Sequence, residues 1–248
     1  QNILKQYYVE NGKDPQQPAL TTDGRLFIPL SGDAAVAVVD VRGGLSLLRK
    51  IEIGTESKPH IVSLSPDQKT LYVTVQGKDP KVVAIAISAQ GETVAKEYRY
   101  DLVPRVIAAT NRGAYYTAHH STGLHYADLA GGVTSTVYMD ENGPASEARK
   151  QIEGISVSAD ASTQAITHEG RKALVILKND GSALIKTCDI DSLSDKPYWV
   201  TLDTVGEVAF VSIPGAGLVE AYDIANCASQ PIWSAPVGGK PKRLAIAK

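Results

Sequence analysis

Six segments of the chain share one form, and their spacing limits what the chain can fold into. They are Gln17-Pro18-Ala19-Leu20, Lys58-Pro59-His60-Ile61, Val103-Pro104-Arg105-Val106, Ile152-Glu153-Gly154-Ile155, Lys196-Pro197-Tyr198-Trp199 and Lys240-Pro241-Lys242-Arg243. Their second positions, 18, 59, 104, 153, 197 and 241, lie 41, 45, 49, 44 and 44 residues apart. A recurring interval of this length is the size of a four-stranded propeller blade.

The same events recur inside each unit. A short apolar strand follows the proline, as in Ile61–Ser65. A polar turn comes next: Thr22-Asp23-Gly24, Pro66-Asp67-Gln68, Asn111-Arg112-Gly113, Asp160-Ala161-Ser162 or Thr204-Val205-Gly206. Glycine permits positive φ there, and Asp and Asn bond to nearby backbone. Second strands are expected at 25–30, 71–75, 114–118, 163–167 and 207–213, and third strands at 35–41, 81–87, 124–129, 172–178 and 218–224. Val, Ile and Tyr are frequent in them, with stretches of alternation. The fourth strand is looser. One short helical turn fits 143–150.

The expected fold is all-β: a β-propeller of five complete four-stranded blades and a partial sixth. The blades fall at about 18–54, 59–101, 104–140, 153–190 and 197–237, within one domain. The partial blade joins 1–13, which reads as a fourth strand, to 241–248, which reads as a first strand. Its two middle strands are missing. The chain is then a fragment of a six- or seven-bladed propeller, or a second chain or copy completes the blade, or two strands suffice.

The line Lys58-Pro59-His60-Ile61, Ser65-Pro66-Asp67, Leu71-Tyr72-Val73-Thr74-Val75 resembles the YVTN family of β-propeller repeats. Val75 stands where that family has asparagine. Phe27-Ile28-Pro29, Tyr115-Tyr116-Thr117, Ala165-Ile166-Thr167 and Phe210-Val211-Ser212 match more loosely. The resemblance implies an architecture. Its relatives include surface-layer proteins, lactonase-like enzymes and quinoprotein-type propellers, and fold likeness does not choose among them.

Net charge of −2, with Lys and Arg spread along the chain, gives no case for nucleic acid as a partner. No apolar run is long enough to span a bilayer. The first residue is Gln1 and the single methionine is Met139, so a processed N-terminus left by signal-peptide removal is expected, with a secreted or periplasmic location. Cys188 and Cys227 lack the spacing of a zinc site. The repeat map puts Cys188 late in an outer strand and Cys227 in a loop at the opposite face. Two buried free thiols are therefore preferred to a disulfide.

In a four-stranded meander, the loop into strand one and the loop between strands two and three share a face. The positions after the proline are Ala19, His60, Arg105, Gly154, Tyr198 and Lys242. The second loops carry Asp33, Lys78, His119, His120, His168, Glu169 and Arg171. His60, Arg105, His119, His168 and Glu169 are the candidate acids, bases and carboxylate clamps, and Lys78, His120, Arg171, Tyr198 and Lys242 the candidate ligand contacts. Such a face would suit a small anionic ligand or a protein partner. His119, His120 and His168 with Glu169 could ligate a metal, but adjacent histidines on a strand point apart, and no metal is assigned. Asp40, Asp128 and Asp223, near third-strand ends, read as turn caps. GxSxG, HExxH, Walker and Rossmann patterns are absent from suitable contexts, and the sequence names no cofactor. The first functional expectation is thus a binding propeller. A lactonase- or cycloisomerase-like enzyme and a subunit of a redox complex are the rivals.

Overall fold

A computed structural model of the chain describes residues 12–99, 101–131, 134–138, 152–179 and 184–246. Among the described residues, twenty strands make five antiparallel sheets. The chain divides into two compact units, 1–111 and 112–248.

The first unit holds sheet one, β1 (Ala19–Leu20), β2 (Arg25–Leu30), β3 (Ala35–Asp40) and β4 (Ser46–Glu52), and sheet two, β5 (Ser57–Leu64), β6 (Thr70–Gly77), β7 (Lys81–Ser88) and β8 (Gly91–Arg99), with β9 (Pro104–Ala109) at its end. The second holds β10 (Gly113–Ala118), β11 (Gly123–Asp128) and β12 (Thr134–Tyr138). Sheet four follows with β13 (Ile152–Val157), β14 (Thr163–His168), β15 (Ala173–Asn179) and β16 (Leu184–Ile190). Sheet five is β17 (Trp199–Leu202), β18 (Val208–Ile213), β19 (Leu218–Asp223) and β20 (Trp233–Pro236). The expected second and third strands agree with these bounds to within two residues.

Burial explains why the middle strands were easy to see. Ala35–Val39 in β3 and Ala173–Leu177 in β15 are buried on both faces, as near-continuous apolar runs must be. The fourth strands alternate apolar with charged residues and are largely exposed, as in Ser46–Glu52. In the first unit Phe27, Val36, Val38 and Ile51 of sheet one pack on Leu71, Val73, Val83 and Ile85 of sheet two. In the second unit Ala165, Leu174 and Ile176 pack on Val200, Ala209, Val211 and Tyr222.

The turn between first and second strands is built alike each time. Ser65 Oγ donates to Asp67, whose carboxylate also accepts from Lys69 N, and Thr70 N donates to Ser65 Oγ. Ser158, Asp160, Ser162 and Thr163 repeat this set, and Thr21 with Asp23 and Arg25 repeats most of it. The residue after the aspartate is left-handed in each: Gly24, Gln68 and Ala161. The hydroxyl beside Asp160 pulls its carboxyl down to about 2. Asp40, Asp128 and Asp223 accept backbone N–H groups two or three residues on, as turn caps do.

A buried hydroxyl ties consecutive inner strands together. Thr74 Oγ1 accepts from Ile61 N at 3.1 Å and donates to Arg105 O at 3.2 Å. Thr167 does the same with Gly154 N (2.7 Å) and Tyr198 O (3.2 Å), and Ser212 with Trp199 N (3.1 Å) and Lys242 O (3.0 Å). In sheet one Pro29 occupies the position, and Ser31 Oγ donates to Pro59 O instead. The pairing register shifts here, between Pro59 and Ile61 and between Ile152 and Ile155. Pro59 is tolerated because β5 is an edge strand, where a missing N–H breaks no second ladder.

This register corrects one position. Ile152 pairs with His168 as Pro59 pairs with Val75, so Glu153, not Gly154, is the counterpart of His60 and Tyr198. Glu153 is buried. Gly154 is needed for packing: a Cβ there would lie 2.9 Å from Trp199 Cα.

The cysteines also depart from expectation. Cys188 and Cys227 form a disulfide, with Cα atoms 5.6 Å apart. The segment after β19 turns at 224–227, closed by Ala228 N donating to Asp223 O, and Cys227 is left-handed there. It runs against the end of sheet four, where Ser192 Oγ donates to Ser229 O, and this brings Cys227 to β16.

Of the expected partial blade, 1–11 lies outside the described residues, as does the helical turn at 143–150. Residues 241–246 join no sheet among the described residues. They do hold the first-strand position beside sheet five, through Ser212 to Lys242 O and Thr201 Oγ1 to Leu244 O at 3.2 Å.

Two stability outcomes are expected. Thr74→Val keeps the shape but strands a buried N–H and a carbonyl, costing about 2–3 kcal/mol in denaturant unfolding, while Thr74→Ser recovers most of it. Replacing the disulfide, which closes a sequence separation of 39, by Cys188→Ser/Cys227→Ser should cost up to about 4 kcal/mol in the same measurement.

Candidate functional site

In sheets one and four the loop after the second strand is a single 3-10 turn, Ser31–Asp33 and Glu169–Arg171, each followed by a left-handed residue, Ala34 and Lys172. In the second turn His168 is fully buried and its Nδ1 accepts from Arg171 N at 3.3 Å. That imidazole shapes a turn rather than facing solvent. Glu169 lies 3.6 Å from Lys196. Arg171 is held by Asp189 (2.8 Å) and Asp191 (2.6 Å), which leaves its guanidinium committed to carboxylates. His119 and His120 follow β10 in a turn, their rings 6.3 Å apart, with His120 left-handed and exposed. They are not strand neighbours pointing apart. Lys242 Nζ sits 5.6 Å from the Tyr198 ring centroid, so two of the candidate ligand contacts do meet, as a cation–π pair.

In the first unit His60 and Arg105 are half-buried, and His60 Nδ1 lies 3.4 Å from Arg105 O. Lys78 pairs with Glu56 at 2.9 Å. Four of the side chains chosen for an anionic ligand, Lys78, His168, Glu169 and Arg171, thus have partners inside the protein.

The first unit also has a groove of about 540 Å3 on this loop face. It lies between the second loop of sheet one, Ser31–Ala34, and the lead into sheet two, Gly54–Lys58, with Glu52 at its side. The lining is more acidic than expected. Asp33, Glu52 and Glu56 contribute carboxylates, and Lys58 the one ammonium in the lining. Asp33 is paired with Lys50 at 2.7 Å, a contact that lowers its pKa. Ser57 is buried in the wall. Gly54 adopts φ +122°, a backbone conformation that favours glycine, and a Cβ there would stand at ordinary contact distance from Ser57 Oγ (3.5 Å) and Lys81 Nζ (3.9 Å). Lys81 is itself buried behind it, 2.9 Å from Glu97 and 3.4 Å from Asp79. Of these groups only Asp33 belonged to the loops singled out from the sequence. Glu52, Glu56 and Ser57 precede the proline, outside the positions after it that the repeat places on this face. The Gly54-Thr55-Glu56-Ser57 stretch was the available signal. Among the described residues, no group of three or more His, Cys, Asp or Glu is placed to hold a metal ion.

His125, the fifth histidine, is structural. It is buried in β11, stacks on Tyr116 (5.2 Å between centroids) and has Nε2 3.0 Å from Ser121 Oγ. Burial pushes its pKa down to about 4.

No protein-family profile and no curated protein sequence matches the chain. Solved structures do. A Bacteroides fragilis protein provisionally assigned as a 6-phosphogluconolactonase superposes with a TM-score of 0.72 and 17% identity, over 93% of this chain and 72% of that one. A protein of Lactobacillus plantarum gives 0.70 and 17% over 91% and 72%. A chain of the nidogen–laminin complex gives 0.64 and 15% over 93% and 81%. At these identities the likeness is one of fold, and the fold is that of a β-propeller.

His125 sets an acid limit that can be measured. Its ordinary value is 6.5 and its folded value about 4, so between these the unfolded chain binds the extra proton. Stability is full above pH 6.5 and falls as pH drops toward 4, by on the order of 3 kcal/mol. In thermal melts across this window His125→Gln, which keeps a partner for Ser121, should flatten the slope.

Proposed function

We propose that the protein is a binding β-propeller of the YVTN repeat type, whose loop face takes a small polar ligand in the groove beside Gly54. One observation carries this reading. The groove has room, a buried Ser57, and the Glu52 carboxylate beside the Lys58 ammonium, while its other two carboxylates, Asp33 and Glu56, are paired with Lys50 and Lys78. Carboxylates favour ammonium or hydroxyl groups on a ligand and repel an anion. This reading replaces the anionic ligand expected from the sequence, whose cations Lys78 and Arg171 already have carboxylate partners. The repeat-family assignment is supported by Tyr72-Val73-Thr74, where the threonine fills the hydroxyl position between inner strands. The Cys188–Cys227 disulfide supports a secreted or periplasmic location, since such bonds persist in oxidising compartments.

A second reading, a lactonase-like enzyme, draws on the likeness to the Bacteroides fragilis protein. His60 and Arg105, both half-buried in the first unit, would be its working groups.

Thermal shifts with putrescine, glucosamine, inositol and gluconate separate the readings. Glucosamine or putrescine should raise Tm by about 5 °C near saturation, and Glu52→Lys should remove the shift. A shift with gluconate alone, kept or enlarged in Glu52→Lys, would restore the anionic ligand. Hydrolysis of δ-gluconolactone above the spontaneous rate, lost in His60→Ala, would favour the enzyme.

A further inference from the structure

Two charges in the groove beside Gly54 are not used by the protein itself. Asp33 is paired with Lys50 at 2.7 Å and Glu56 with Lys78 at 2.9 Å, so these four groups balance. Glu52 and Lys58 line the same space, and neither has an ion-pair partner among the described residues. They do not pair with each other. Glu52 ends β4 and Lys58 is the second residue of β5, and between them the chain turns, with Ser57 N donating to Gly54 O at 3.2 Å. Both ends of that turn are anchored to the second loop of sheet one: Ile53 N donates to Ala34 O at 2.9 Å, and Ser31 Oγ to Pro59 O at 2.8 Å. The two opposite charges thus rise from fixed backbone on either side of the groove.

Ser57 adds a third group. It is 4% exposed and lines the groove, yet its hydroxyl has no hydrogen-bond partner among the described residues. Serines as deeply placed elsewhere are satisfied internally: Ser65 Oγ donates to Asp67 and Ser158 Oγ to Asp160, each at 2.6 Å. A buried hydroxyl without a partner is unfavourable, and an acceptor on a ligand removes that penalty.

These groups define the charge of the ligand. A cation alone would satisfy Glu52 and meet repulsion at Lys58, and an anion alone would do the reverse. A ligand carrying both charges satisfies both. The groove, at about 540 Å3, is of the size that holds small molecules. We infer that it takes a zwitterionic amino acid, with the ammonium on Glu52 and the carboxylate on Lys58 and the Ser57 hydroxyl. The inference rests on the groove being a site for a small polar ligand, and it adds that this ligand bears one charge of each sign.

The test is titration calorimetry of the 248-residue protein with four compounds of equal carbon number: L-α-aminobutyrate and γ-aminobutyrate (zwitterions), putrescine (a cation) and succinate (an anion). One of the zwitterions should bind at least tenfold more tightly than putrescine and succinate. Glu52→Gln and Lys58→Gln, both changes at exposed side chains, should each weaken that binding at least fivefold with the fold intact by circular dichroism. Lys58→Gln should leave putrescine binding unchanged or stronger, and Ser57→Ala should weaken the zwitterion but not putrescine. Putrescine binding as tightly as both zwitterions, or zwitterion binding indifferent to Lys58→Gln, would overturn the inference. In either case putrescine binding that Glu52→Gln abolishes would still uphold the groove as a polar-ligand site. Absence of binding by all four compounds, and by glucosamine and inositol, would overturn both.

Discussion

The hydroxyl near the end of the second strand in sheets two, four and five is the contact on which their inner strands depend. At Thr74, Thr167 and Ser212 one small group closes two gaps. It accepts an N–H that the inner-strand bulge would otherwise strand, and it donates to a carbonyl of the following inner strand. Neither group has water to turn to, since Thr74, Thr167 and Ser212 are fully buried. An unpaired buried amide costs about 1–3 kcal/mol, and each hydroxyl spares two such groups. A second, weaker series runs beside it: Ala109 N donates to Ser63 Oγ and Leu202 N to Ser156 Oγ, both at 3.0 Å. Apolar packing between sheets has no directional preference, so these bonds are what set the register of one inner strand against the next.

Much of this was visible in the sequence because it is local. Second and third strands announce themselves by apolar content, and the turn at Ser65-Pro66-Asp67 by side chains that bond within five residues. What stayed hidden depends on one-residue offsets and on long-range approach. Alignment on the proline put Gly154 where Glu153 belongs, because the fourth unit has no proline and Ile152 holds its place. Side-chain direction flips with each such step, which exchanges a glycine that packs for a carboxylate that is buried. The disulfide was missed for another reason. A repeat map treats the connection between third and fourth strands as local, whereas the turn at 224–227 and the residues after it reach the end of the neighbouring sheet, at Cys188 and Ser192.

The candidate site was the least legible part. Residue type identifies a cation, but its availability depends on what stands opposite. Arg171 faces Asp189 and Asp191, which lie 18 and 20 residues further along, in and just after the fourth strand of its own sheet. Lys78 faces Glu56 in the same fashion, across 22 residues. Both pairs sit at loop ends, where solvent screens them and their contribution to stability is small. Their effect on recognition is larger, because a guanidinium already holding two carboxylates has little left for a third. A groove lies beside Gly54, lined by Asp33, Glu52, Glu56 and Lys58, and the same rule holds there: Asp33 faces Lys50 and Glu56 faces Lys78.

The ties between sheets also have a polarity. Donor hydroxyls stand on the forward face of one sheet and the accepting carbonyls on the inner strand of the next, so the two sides of a sheet are not equivalent. Such a contact is heterologous, and heterologous contacts either close on themselves or leave one donor face and one acceptor edge open. In the second unit the last donor, Ser212, is satisfied by Lys242 O. The hydrogen-bonding ties therefore continue at that point, beside Val219 and Ala221, which are buried on the same face, and Phe210, which is half-buried. The polar ties need only one strand: Thr201 and Ser212 hold the carbonyls of Leu244 and Lys242 where 241–246 joins no ladder among the described residues.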